Sequence, residues 1–153
     1  MRLFAILVAL FVCSGTADAQ QKLRADDSRA IQDCLKEQLN SEDRCIGTLA
    51  RKCAETADPR NFEQSQCWER EQLVWDDILN ESYRRLQKQL DEKKRTALRD
   101  VQRTWIENRK QTCGYYRTLY DGGPLAIVVT AMCHNQETAR RALYMLALID
   151  IAP

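Results

Sequence analysis

The sequence lacks most of what a catalytic or metal-binding protein shows in its residues. His134 is the single histidine, so no histidine pair and no H-E-x-x-H exists. No two of the seven cysteines stand at C-x-x-C spacing, which removes zinc-ribbon and thioredoxin-like readings. There is no G-x-S-x-G elbow and no glycine-rich loop of the phosphate-cradling kind. Five glycines in 153 residues are few for a many-turned all-β protein. Charge of one sign is also missing. Lys and Arg number 23 against 22 Asp and Glu, so no net field advertises a nucleic-acid or membrane partner. The Lys93-Lys94-Arg95 cluster is short and is balanced by Asp91 and Glu92.

What the chain does have is cysteine, in an odd number. Met1-Arg2 supplies a positive charge, Leu3 to Val12 is an unbroken apolar run, and Ala17-Asp18-Ala19 precedes Gln20-Gln21. This is the pattern of a secretory signal peptide with an A-x-A cleavage site, and it is too short to span a bilayer of about 30 Å. Bulky Val12 before Cys13 argues against a lipoprotein signal, which wants a small residue there. Cleavage after Ala19 therefore predicts residues 1–19 as leader and 20–153 as one mature domain, placed in the periplasm or secreted. The net charge stays at +1, because Arg2 and Asp18 leave together. Cys34, Cys45, Cys53, Cys67, Cys113 and Cys133 remain, an even set expected to form three structural disulfides in an oxidising compartment. Six cysteines allow 15 connectivities. The mature chain is expected to carry no transmembrane segment, no metal and no cofactor.

The mature chain reads as helix almost throughout. Asp26-Asp27-Ser28 caps a helix to about Leu39, and Asn40-Ser41 breaks it. Ser41 with Glu42-Asp43 opens a second helix to about Thr56, which Asp58-Pro59 ends. A third runs from Phe62 to about Leu90, with Trp68, Val74-Trp75, Ile78-Leu79, Tyr83, Leu86 and Leu90 at helical spacing. Asp91 to Arg95 is expected to turn, and a fourth helix then carries Leu98, Val101, Trp105, Ile106 and Arg109 to about Tyr116. Asp121-Gly122-Gly123-Pro124 is the clearest break. Leu125 to Met132 is apolar and taken as helix, because nothing else reads as a strand to pair with it. Asn135 is expected to cap a last helix from Gln136 to about Ile149. The expected fold is all-α: a disulfide-stapled helical bundle built on a long antiparallel helix hairpin.

Two helical faces carry specific patterns. Gln102, Trp105, Arg109 and Cys113 share one stripe, where the Arg109 guanidinium can lie along the Trp105 ring. Trp75-Asp76, Leu79-Asn80 and Tyr83 form a similar run on the preceding helix. Asp76 facing Arg109 or Arg103 across the hairpin would pair with one of them and fix register. The stripe reads as a polar-cornered helix interface, with a binding surface as the other option. His134, directly after Cys133, reads as a solvated imidazole at a turn or cap.

The segment Cys67…Trp75-Asp76-x-x-Leu79-Asn80-x-x-Tyr83-x-x-Leu86, followed by Gln102-Arg103-x-Trp105-Ile106-x-x-Arg109-x-x-x-Cys113, resembles the LprI-type lysozyme-inhibitor-like family of exported bacterial proteins. Gly122-Gly123, Cys133 and Thr138-x-x-Arg141 continue the likeness, which spans about Cys67 to Met145. It implies an extracytoplasmic helical domain with no catalysis of its own, and a protein partner, a lysozyme or related muramidase whose cleft it blocks. The alternative is a non-catalytic structural or interaction domain of the cell envelope that inhibits nothing. Gln20 to Gln66 departs from the pattern as an added cysteine-rich helical segment preceding the inhibitor-like part, 67–149. The family pattern suggests a Cys113–Cys133 bridge around the Gly-Gly-Pro turn. Cys34–Cys45 and Cys53–Cys67 are the preferred remaining pairs, since each flanks a break, with Cys34–Cys53 and Cys45–Cys67 the rival. A blocker needs a rigid protruding loop. Thr118 to Pro124 is the candidate, with Tyr115, Tyr116, Arg117, Tyr120, Asp121, Gly122 and Gly123 providing its contact chemistry.

Overall fold

The computed structural model describes residues 23–39, 41–57 and 61–152. The expected leader and Cys13 lie outside the described residues, as do Asn40 and Asp58-Pro59. Five α-helices and one 3-10 turn make up the described chain: α1 Ala25–Glu37, the turn Glu42–Cys45, α2 Thr48–Thr56, α3 Asn61–Gln89, α4 Glu92–Leu119 and α5 Pro124–Ile151. There is no strand among the described residues, and no helix there is long and apolar enough to cross a membrane.

Three long helices form the body. α4 and α5 are antiparallel, because Cys113 is bonded to Cys133, Arg109 reaches Thr138 and Gln102 meets Arg141 in descending order along one helix and ascending order along the other. α5 runs parallel to α3. Asn135 donates to the Trp68 carbonyl at 3.3 Å, and the shared core of Val74, Trp75, Leu79, Leu86, Ala139, Ala142, Met145 and Ile149 lies C-terminal to that pair on both helices. The packed antiparallel hairpin is therefore α4 with α5 and not the expected α3 with α4: α4 returns antiparallel to α3 but rests on α5, and it is α5 that lies against α3. Ala131, Ala139 and Ala142 are buried on α5, and such small side chains let its backbone approach its neighbours closely. α4 contributes less to the core: only its Cys113 is fully buried, with Leu98 and Trp105 packed at the core's edge.

Several element boundaries differ from the expectation for identifiable reasons. The expected turn at Asp91 to Arg95 is present but confined to Leu90 and Asp91, with Glu92 already in α4. Asp91 is the N-cap of α4, its carboxylate accepting from the Lys94 amide at 2.9 Å, and that bond holds the carboxyl below its ordinary pKa. α5 is continuous from Pro124, so Asn135 does not cap a helix. It is buried mid-helix, where α3 offers its amide a carbonyl partner. The segment after Ser41 does not form one helix to Thr56. It starts as the 3-10 turn, and Gly47 at φ +81° then re-aims the chain into α2. A Cβ at Gly47 would stand 3.1 Å from the Trp68 ring and still closer to the Arg51 side chain, so both backbone and packing call for glycine.

Three disulfides close short loops: Cys34–Cys45, Cys53–Cys67 and Cys113–Cys133. The first ties α1 to the 3-10 turn, the second α2 to α3, the third α4 to α5. Each typically contributes ~2–4 kcal/mol.

α1 and α2 are fastened to α3 by two carboxylates. Asp27, 3% exposed, accepts two hydrogen bonds from Arg70, one of them at 2.6 Å from Nε, and this contact raises the guanidinium's pKa. Glu71 is fully buried. Its two oxygens accept from the Gly47 amide at 2.6 Å, the Ala50 amide at 2.8 Å and Trp75 Nε1 at 2.8 Å. Gly47 and Ala50 are the N-cap and third residue around the start of α2, so Glu71 supplies from another helix what a capping box supplies locally.

Replacing Glu71 by Ala leaves three buried donors without an acceptor. The expected cost is on the order of 3 kcal/mol of folding stability, read as a lower denaturant midpoint by far-UV circular dichroism. An unchanged midpoint would show that the cap does not hold α2.

Candidate functional site

The patterned stripe folds into one half-buried cluster between α4 and α5. The Arg109 guanidinium lies over the Trp105 ring, 4.7 Å from its centroid, and Nη1 donates to Thr138 Oγ1 at 2.6 Å. Thr138 in turn donates to the His134 carbonyl at 2.7 Å. Arg141 sits between two rings, 5.6 Å from the Trp105 centroid and 5.1 Å from that of Tyr144, with Nε donating to Gln102 at 2.9 Å. Burial pulls both guanidiniums below their ordinary pKa. For Arg109 the charges of Asp76 and Glu137 oppose that effect.

On α3 the corresponding run divides. Trp75 is fully buried and spends its indole N–H on Glu71. Tyr83 packs at the core's edge and its hydroxyl accepts from Gln87 at 3.0 Å. Asp76 does not form the expected ion pair with Arg109 or Arg103. It accepts from exposed Asn80 at 3.0 Å and acts on Arg109 only through its field. The reason is geometric: Arg109 is turned towards Thr138 on α5, and Arg103 is exposed on α4. The stripe residues are therefore mostly spent on one another, holding α4 to α5.

The hairpin tip is different. α4 continues to Leu119, so the connecting segment is only Tyr120 to Gly123, shorter than the expected loop. Successive amides of Tyr120, Asp121, Gly122 and Gly123 donate to the carbonyls of Tyr116, Thr118, Arg117 and Tyr120, at 2.8–3.2 Å. Asp121 adopts φ +51° and Gly122 φ +66°. An aspartate in that left-handed region costs about 1 kcal/mol and is held there by the turn. Pro124 opens α5 at its first position. Around this rigid turn Tyr115 is 61% exposed, Leu119 52% and Leu125 49%, with Tyr120 and Ile127 also open. Tyr116 is half-buried and Arg117 exposed.

One residue that matters here was not singled out by the sequence pattern, and another was expected in a different setting. Glu71 stands four residues before Trp75 on the apolar face of α3, and a carboxylate interrupting a core stripe is the signal that marks it. His134 is not at a turn or cap. It lies half-buried within α5, and burial together with the charge of Arg109 holds its imidazole below the ordinary value of 6.5. Among the described residues no group of three or more His, Cys, Asp or Glu side chains is arranged to hold a metal.

A family model described as lysozyme inhibitor LprI matches residues 52–145, well over half of the chain. The match begins upstream of Cys67 and takes in both halves of the Cys53–Cys67 bridge, while Cys34–Cys45 lies outside it. No curated protein and no solved structure matches the chain.

As the lone histidine, His134 gives one resolved imidazole signal in proton NMR. Its midpoint is expected below 6.5. In Arg109→Met a like charge is gone, so the midpoint should move upwards. The unfolded chain takes up this proton first, so folding stability should fall as pH drops below about 6.5. An Arg109→Met midpoint unchanged or lower would contradict this placement.

Proposed function

The chain belongs to the LprI lysozyme inhibitor family, and on that premise we propose that it is an exported, non-catalytic protein that binds a lysozyme or related muramidase and blocks its active-site cleft. The α4–α5 tip is the element that enters the cleft. One observation carries this reading: exposed aromatic and aliphatic side chains surround a turn that four backbone hydrogen bonds and the Cys113–Cys133 bridge hold rigid. A rigid aromatic contact loses little conformational entropy on binding, which is why such residues dominate binding hot spots. Asp121 at the apex presents a carboxylate beside Tyr120, and Arg117 a cation on the preceding turn.

The other pattern residues fit a scaffold role. Trp75, Tyr83, Gln102, Trp105, Arg109, Thr138 and Arg141 have internal partners or pack against the core, whereas the side chains of Tyr115, Tyr120 and Asp121 at the tip form no side-chain hydrogen bond or ion pair among the described residues. Residues 20–153 act as one domain in this reading, with α1 and the 3-10 turn as an addition in front of the family's own region. Export agrees with the three disulfides and with the leader pattern at Met1 to Ala19, and the periplasm is the proposed compartment. A net charge of +1 favours a second reading, an envelope interaction domain with no inhibitory action, because a steered inhibitor of a basic lysozyme would be acidic.

Lysis of cell-wall substrate by lysozyme, with the oxidised mature protein added, separates the two. The inhibitor reading expects slowed lysis, and Tyr120→Ala should weaken it about tenfold, the loss of one hot-spot contact. Asp121→Asn, which tolerates the same backbone, tests the carboxylate alone. No slowing at micromolar excess across several lysozyme classes would leave the envelope reading. Inhibition undiminished by either tip substitution would move the contact surface elsewhere.

A further inference from the structure

Beside the tip, where α3, α4 and α5 meet, a cavity of about 210 Å³ is lined by Glu69 and Gln72 of α3, Arg117 of α4, and Ile127, Thr130 and His134 of α5. Two opposite charges share it without pairing. Among the described residues neither Glu69 nor Arg117 forms an ion pair or side-chain hydrogen bond, with each other or with anything else. Both side chains remain open to solvent, and the partial burial of the Glu69 carboxyl raises its pKa. Thr130 Oγ1 is shut away from bulk water and has no hydrogen-bond partner. His134, held neutral at neutral pH, offers one ring donor and one ring acceptor.

We propose that this cavity binds a small free amino acid as its zwitterion, the ammonium on Glu69 and the carboxylate on Arg117. A simple anion would meet the Glu69 carboxylate, and a simple cation would meet the Arg117 guanidinium. A neutral sugar would meet neither charge with an opposite one. An α-amino acid carries both charges within one small molecule, and each end forms charge-assisted hydrogen bonds with its counterpart. Gln72, Thr130 and His134 supply the remaining donors and acceptors, and Ile127 faces the side chain. The volume restricts the ligand to small members of the class, such as glycine, alanine or serine. A peptide separates its two termini and cannot place both in the cavity. The proposal does not depend on the inhibitor reading, since it concerns a soluble small ligand and not the tip's contact with a protein.

The test is titration of the oxidised protein with glycine, L-alanine and D-alanine, followed through the His134 ring resonances and by calorimetry. Acetate, methylammonium, N-acetylalanine and alanine amide are the single-charge controls. Saturable binding of an amino acid is expected, at least about tenfold tighter than any single-charge analogue, one charge-assisted contact being worth that factor or more. Glu69→Gln and Arg117→Gln should each weaken it by about the same factor with unchanged helicity and denaturant midpoint. No saturable shift up to about 50 mM amino acid overturns the proposal. So do single-charge analogues that bind equally well, or variants that bind as the parent does.

Discussion

A single buried carboxylate organises the N-terminal third of this molecule. Glu71 has no contact with water and accepts three hydrogen bonds, two from the start of α2 and one from the Trp75 indole. Burying a carboxylate is expensive unless its lone pairs are met, and here the donors include amides at a helix N-terminus, where the dipole favours negative charge. The same atoms thus hold α2 on α3 and orient the largest side chain of the core. Gly47 must be glycine for this to work, since its left-handed backbone brings its own amide and that of Ala50 to one carboxylate. Asp27 with Arg70 repeats the device for α1 at a less enclosed site. Short helices such as α2, with nine residues, are marginal alone and need this kind of tertiary anchor.

From that anchor the long helices follow a different logic. α5 meets α3 through alanines and buries Asn135 and Thr138, whose amide and hydroxyl donate to backbone carbonyls of α3 and α5 respectively. Its junction with α4 relies less on apolar burial and more on guanidiniums laid along aromatic rings. Arg109 and Arg141 stack on Trp105 and each spends one donor on a neighbouring side chain, which keeps α4 in register while leaving much of its surface wet. The Cys113–Cys133 bridge then closes the end that the turn leaves open. The bridge and the turn's hydrogen bonds thus fix the tip, although the tip itself contributes little to the core.

Much of this was legible in the sequence. Periodic apolar positions at Val74, Trp75, Leu79 and Leu86 mark α3, the Gly-Gly-Pro break marks the tip, and of the two pairings left open for Cys34, Cys45, Cys53 and Cys67 the preferred one forms, beside the Cys113–Cys133 bridge that the family likeness suggests. The likeness of Trp105, Arg109 and Cys113 to a family pattern is matched by the family's own model. What was not legible is long-range. Asn135 has the residue type of a cap, and only the carbonyl of Trp68, far off in sequence, explains it inside a helix. The Asp76–Arg109 pair follows from an α3–α4 interface, and it fails because α4 packs on α5, where Thr138 takes the guanidinium. Glu71 and His134 look like ordinary polar residues until burial is known. Helical pattern reports one helix at a time, and these residues are defined by the contact of two or three.

Near-neutrality constrains how the molecule can recognise a partner. With a net charge of +1 and most surface ion pairs formed between residues three apart on one helix, little long-range field remains to steer association. Affinity then has to arise from contact, through apolar area and preorganisation. The tip concentrates both, since its aromatic side chains are exposed while its backbone is already fixed. The cost of ordering the turn, including Asp121 in a left-handed conformation, is met during folding by the turn's hydrogen bonds and the adjoining disulfide. A flexible loop of the same composition would have to meet that cost on binding. For a neutral protein without steering, rigidity near the contact surface is the main physical route to useful affinity, and the fold places it at the α4–α5 turn.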